Sequence, residues 1–107
     1  MSVALAYGEF CEKMGAIKIE EHIFHHAKRA TIDWFAWTIP GGLETPAKLT
    51  FQALKEEIGS GASTILPAGQ KTTPRNAALI NGTASHTLEF DDIFRAGLYH
   101  PGSPVIS

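Results

Sequence analysis

The stretch Asn81 to Ser107, NGTASHTLEFDDIFRAGLYHPGSPVIS, decides how this chain is read. It gathers His86, Glu89, Asp91, Asp92, Arg95 and His100 within fifteen positions, beside several small residues. Its first half continues a helix that opens at Thr73-Pro74. Threonine is a good N-cap, and proline suits the first helical position. The spacing predicts a helix running to about Phe90, with Ala77, Ala78, Gly82, Ala84 and Ser85 giving it a thin surface. A thin helix admits a neighbouring backbone, so it is expected to be buried. Buried, it carries its C-terminal polar residues into an interior or a cleft. A turn at Gly97 then folds His100 back toward the acids.

Carboxylates near a helix C-terminus face the unfavourable end of the dipole. Asp91 and Asp92 there point to function or to a basic partner such as Arg95. His86 and Glu89 are i, i+3 neighbours on the helix. A carboxylate facing an imidazole can take one proton and deliver another. That chemistry suits elimination or epimerisation beside a substrate carboxylate. Two other chemistries use residues of the same types. His86, Glu89, Asp92 and His100 mix oxygen and imidazole donors, but their spacing is not diagnostic of a metal. Asp91-Asp92 lacks the third acid of a prenyl-diphosphate motif, because Arg95 stands in its place. The plain alternative is a helix end with solvated charges.

Outward from this stretch, the chain reads as helical. Val3, Ala6, Phe10 and Met14 recur at helical spacing over residues 3 to 14, with Gly15 as the stop. Residues 20 to 38 form the strongest helix. Ile23, Phe24, Ala27, Trp34, Phe35 and Trp37 fall on one arc, while His22, His25, His26, Arg29 and Asp33 lie opposite. The arc reads as core packing. His22 and His26 stand at i, i+4 but have no third ligand in view, so they read as solvated. Pro40, Gly41 and Gly42 are expected to stop this helix. Residues 46 to 58 form another, capped by Thr45 and closed by Gly59. Gly59-Ser60-Gly61 lacks the Lys-Ser or Lys-Thr of a phosphate loop and reads as a connector. Ala62 to Leu66 is a short strand candidate, and Gln70 to Thr73 a polar loop.

The 107 residues suffice for one small domain, and the 44% apolar content is that of a folded chain. With a net charge of -2 and no basic run, nucleic acid is not an expected partner. The N-terminus lacks a signal-peptide pattern, and no apolar run reaches membrane-span length. A lone Cys11 cannot form an internal disulfide, and it reads as a buried thiol in a reducing, cytoplasmic setting.

The run ALINGTASHTLEFDD followed by HPGSP resembles the MmgE/PrpD family, which includes 2-methylcitrate dehydratase, cis-aconitate decarboxylase and iminodisuccinate epimerase. The matching residues are Ala77-Ala78, Asn81-Gly82, His86, Glu89-Phe90-Asp91-Asp92 and His100-Pro101. Upstream, a helix bearing Ile32-Asp33, a Gly-Gly break, a further helix and the ASTIL segment are also similar to that family. Two positions depart from the pattern. Glu89 stands where the family usually has Asp, and Ile93 where it often has a hydroxyl.

The resemblance implies a mainly α fold, with residues 1–107 as the N-terminal part of a large all-helical domain and one short strand-like segment near 62–66. The family's enzymes are longer two-domain proteins and dimers, so the chain is expected to be part of a longer protein and to form a homodimer or larger species. It also implies a cofactor-independent lyase or isomerase acting on a small di- or tricarboxylate. Glu89, Asp92 and His100 are the expected catalytic set, with Asp91, His86 and Arg95 supporting or binding substrate. No metal or organic cofactor is implied. A different class of function, a helical interaction module binding through its Trp-rich face, is the alternative.

Overall fold

The computed structural model describes residues 2–107. It is mainly helical: α1 spans Val3–Ala16, α2 Glu21–Gly41, α3 Thr45–Ala53, α4 Pro74–His86 and α5 Gly102–Ile106. A 3-10 turn, Lys55–Glu57, follows α3. Two short strands, β1 (Ser63–Thr64) and β2 (Lys71–Thr72), pair antiparallel as Ser63 with Thr72 and Thr64 with Lys71. The fold is therefore mainly α with a small two-stranded hairpin. The segment read as a polar loop supplies the second strand, since backbone pairing needs no apolar pattern in so short a ladder. No helix is long and apolar enough to cross a membrane among the described residues.

Helix α4 is the centre of the body. Asn76, Ala77, Ile80, Asn81, Ala84 and Ser85 on it are buried, and α2, α3, α5 and both strands all pack against it. Its small residues allow this. A Cβ on Gly41, at the end of α2, would overlap the carbonyl oxygen of Ala84. The two backbones thus meet at a point where only glycine fits. Thr73 caps α4 as expected, its hydroxyl accepting from the Asn76 amide at 3.4 Å. Asn81, fully inside, clamps the hairpin: its Oδ1 accepts from the Leu66 amide and its Nδ2 donates to the Thr64 carbonyl, both at 3.0 Å. Gly82 faces α5, where a Cβ would touch Ser107. The Asn81-Gly82 pair is accordingly a packing device.

Helix boundaries differ from expectation in physically clear ways. Helix α1 runs through Gly15 to Ala16. Pro40 lies inside the last turn of α2, which continues to Gly41. Helix α3 starts after Glu44 and tightens into the 3-10 turn after Ala53, so Thr45 is a helical residue and not the cap. Helix α4 stops at His86, four residues before Phe90, because Glu89 adopts a left-handed conformation (φ 54°). No glycine marks that stop, and a left-handed non-glycine residue costs roughly 1–2 kcal/mol.

The expected aromatic core is only partly formed. Trp34 is buried and its indole N–H donates to the Ser107 hydroxyl at 3.2 Å. Phe35 is exposed, and Trp37 stacks on Phe90 with ring centroids 5.1 Å apart. Every residue from Tyr7 to Ala30 is exposed, including Phe10, Ile23, Phe24 and Cys11. The expectation of a buried thiol is thus corrected: α1 and the first half of α2 reach beyond the body and give Cys11 nothing to pack against. The Cα radius of gyration, 15.6 Å, exceeds the roughly 13 Å of a compact domain of this length.

Among the described residues, six apolar side chains form the buried core, against 21 exposed large ones. So small a core with so large an apolar surface favours association. Sedimentation at low micromolar concentration is expected to show dimers or larger species. A monomer that unfolds cooperatively and binds no hydrophobic dye would contradict this.

Candidate functional site

The site is built where α4 ends. Beyond Glu89 the chain forms an irregular loop that returns to the helix at His100. Its return rests on a local hairpin. Phe94 donates its amide to the Tyr99 carbonyl at 2.8 Å, and their rings meet edge to face at 5.6 Å. Gly97 sits beneath those rings, where a Cβ would come within 2.9 Å of them. The hairpin delivers His100 beside His86, with ring centroids 4.7 Å apart.

Asp91 lies between the two imidazoles. Its side chain is only 4% exposed, which makes its partners matter, because a carboxylate taken out of water needs hydrogen bonds or counter-charge. His86 Nδ1 stands 3.1 and 3.2 Å from its two oxygens. A carboxylate only accepts, so Nδ1 of His86 carries the proton and Nε2 keeps its lone pair when the ring is neutral. His100 Nδ1 lies 3.3 Å from Asp91 Oδ1. That nitrogen is buried and lacks the alignment of a hydrogen bond to any described residue.

His86, His100 and Glu89 line one open cleft of about 700 Å³, together with Thr83, Thr87, Tyr99 and Ser103. Beneath it, the Ser85 and Ser103 hydroxyls meet at 2.7 Å, and Ser103 also donates to the Gly82 carbonyl at 2.9 Å. These bonds tie α5 to α4.

Of the residues singled out in the sequence, the structure brings His86, Asp91 and His100 into contact and sets Glu89 on the same cleft. Asp92 faces elsewhere. Its Oδ1 accepts the Gly102 amide at 2.9 Å, and its side chain borders a groove with Arg29 and Asp33 of α2. Arg95 is exposed and forms no ion pair among the described residues. The acids stand beyond the end of α4 and not on its last turn, and Asp91 meets imidazoles while Asp92 meets the Gly102 amide, in place of Arg95. Sequence reasoning did not single out Ser85 and Ser103 as a pair, and their separation of eighteen positions gave no signal for it.

Donor atoms of His86, Asp91 and His100 lie within 4.8 Å of one another, the spacing of a metal-binding trio. His86, Glu89, Asp92 and His100, whose donor types would have allowed a metal, are not the set that converges, because Asp91 takes the inward position. Binding a cation here means stripping the proton that joins His86 to Asp91.

The model of the MmgE/PrpD N-terminal domain matches residues 6–107. No curated protein and no solved structure matches.

Two measurements test the geometry. ¹⁵N shifts are expected to show neutral His86 as the Nδ1–H tautomer, and Asp91→Asn to abolish that preference. Calorimetric titration with zinc is expected to show no site tighter than micromolar, since the trio must surrender its shared proton to bind. A tight stoichiometric site lost in Asp91→Asn would contradict that.

Proposed function

Because the chain belongs to the MmgE/PrpD family over nearly its whole length, we propose that it is the N-terminal part of an enzyme acting on small di- or tricarboxylates. The reaction is proton abstraction next to a carboxylate, followed by loss of hydroxide or by return of a proton on the other face; in a decarboxylation, carbon dioxide leaves instead and the electron pair it leaves behind takes up a proton from the acid. The carrying observation is the buried Asp91 carboxylate set against two imidazoles on the wall of an open cleft.

In this reading Asp91 positions the rings. Its bond to His86 Nδ1 leaves the other ring nitrogen free to meet substrate. His100 and Glu89 are the proton-transfer pair. One takes the proton from the carbon beside the substrate carboxylate, whose oxygens accept the developing charge. The other protonates the departing hydroxyl in a dehydration, or the opposite face of the carbon in an epimerisation. A group of this kind must lie within hydrogen-bond reach of the reacting atom, and both residues line the same cleft. Asp92, expected in this set, has its carboxylate turned to α2 and α5 and is left out of it.

The cleft lining contains no Lys or Arg. Substrates of this class carry about two or three negative charges at neutral pH. Cationic clamps for them therefore have to come from outside this lining, and this chain by itself is expected to show no turnover. The second reading is an interaction module. It draws on the exposed Ile32, Phe35 and Ile39 of α2.

A screen of small di- and tricarboxylates separates the two, run on this chain and on any longer form that carries it. In a form that turns over, His100→Ala is expected to lower kcat far more than it raises KM, because a proton-transfer group acts mainly in the transition state. Replacing the exposed His22, His25 and His26 together should leave the rate nearly unchanged. Full activity of His100→Ala would sink the assignment.

A further inference from the structure

Asp92 makes its one recorded side-chain bond to the backbone of a residue ten positions away. Oδ1 accepts the Gly102 amide at 2.9 Å. Gly102 opens α5, whose N-cap position is Pro101 and has no side-chain cap. The first amides of a helix have no intrahelical acceptor, so Asp92 supplies from a distance what the local sequence lacks. The contact also needs glycine, since a Cβ on Gly102 would overlap the Asp92 carboxylate. His100 stands immediately before Pro101 and Gly102. On its other side the Phe94–Tyr99 bridge fixes the chain. The imidazole is therefore held from two directions: by the hairpin before it, and by the Asp92 tie after it.

We infer that Asp92 is a positioning residue that sets His100 in the cleft by clamping the start of α5, and that it does not itself carry a proton. The inference rests on the acid–base reading of the His86–Asp91–His100 site. Asp92 does not line the cleft that His86, Glu89 and His100 share; it borders a groove with Arg29 and Asp33 of α2. Its neighbour Asp91 takes the inward position. Two adjacent carboxylates are thereby divided between two jobs: Asp91 holds the His86 ring directly, and Asp92 holds the backbone that presents the His100 ring. The Gly that follows His-Pro is part of the same device.

An amide side chain keeps an acceptor oxygen but cannot carry the proton of an acid, so Asp92→Asn and Asp92→Ala separate the roles. In a form that turns over, Asp92→Asn is expected to keep kcat within about threefold and to leave its pH dependence unaltered. Asp92→Ala is expected to lower kcat by about tenfold or more, the effect of losing a charge-assisted hydrogen bond. On the 107-residue chain itself, hydrogen exchange reads the clamp without any reaction. The Gly102 amide should be protected in the wild type and in Asp92→Asn, and unprotected in Asp92→Ala. The His100 ring signals should move toward those of the exposed His22, His25 and His26 only in Asp92→Ala. Equal exchange of Gly102 in all three proteins would overturn the clamp. An Asp92→Asn protein with Gly102 still protected but turnover as low as Asp92→Ala would make Asp92 a proton carrier. Absence of turnover in every form, with the exchange pattern as expected, would count against the proposed reaction and leave the clamp standing.

Discussion

The contact on which this structure depends is the approach of two backbones, α2 and α4, at Gly41 and Ala84. No side chain fits between them at that point. Close approach forces small residues along α4, and small residues bury little apolar area each. The interior therefore draws much of its order from hydrogen bonds. Thr38, Thr72, Asn76, Asn81, Ser85 and Ser103 are all buried. Asn81 joins α4 to the hairpin, while the Ser85, Ser103 and Gly82 cluster joins it to α5. A buried polar group left unpaired costs about 1–3 kcal/mol, so each of these bonds also fixes register.

The same constraint places the site. Because α4 is held by its neighbours on several sides, its C-terminal end is a fixed platform. His86 is the last residue of that helix, and the backbone between it and α5 is irregular. Irregular backbone gains its geometry from specific ties. Here they are the left-handed turn at Glu89, the Phe94–Tyr99 bridge and the Asp92–Gly102 bond. The Asp91 carboxylate then bonds the His86 ring and lies beside that of His100. The departures from the family's pattern fall on this loop too. Glu89 is one methylene longer than the usual acid and borders the cleft, whereas Ile93 is exposed.

The apolar surface has a different logic. The arc of α2 reads in sequence as a core face, yet burial is confined to its second half, at Trp34, Thr38 and Gly41. Periodicity reports that a face is apolar. It does not report whether the described residues supply anything to cover it. Phe10, Ile23 and Phe24 keep the pattern of core residues while lying exposed, and α1 buries none of its side chains.

The sequence by itself determined the helical class, the cap at Thr73, the burial of the thin α4 and the family. These are local or patterned properties: helical periodicity, a hydroxyl before a proline, a run of small residues, and an ordered block of motif residues. It also placed His86, Asp91 and His100 near one another, because their closeness in the chain leaves few ways to separate them. Only the tertiary structure decided which acid faces which way. Asp91 and Asp92 are adjacent and chemically alike, so nothing in their order distinguishes them. The direction of each is set by where α4 stops, and that stop is a left-handed Glu89 with no glycine to announce it. The hairpin partner Lys71–Thr72, the Asn81 clamp and the Ser85–Ser103 pair were likewise decided in three dimensions. Each links residues 7 to 18 positions apart through hydrogen bonds whose donors and acceptors exist, unpaired, in every polar stretch of the chain.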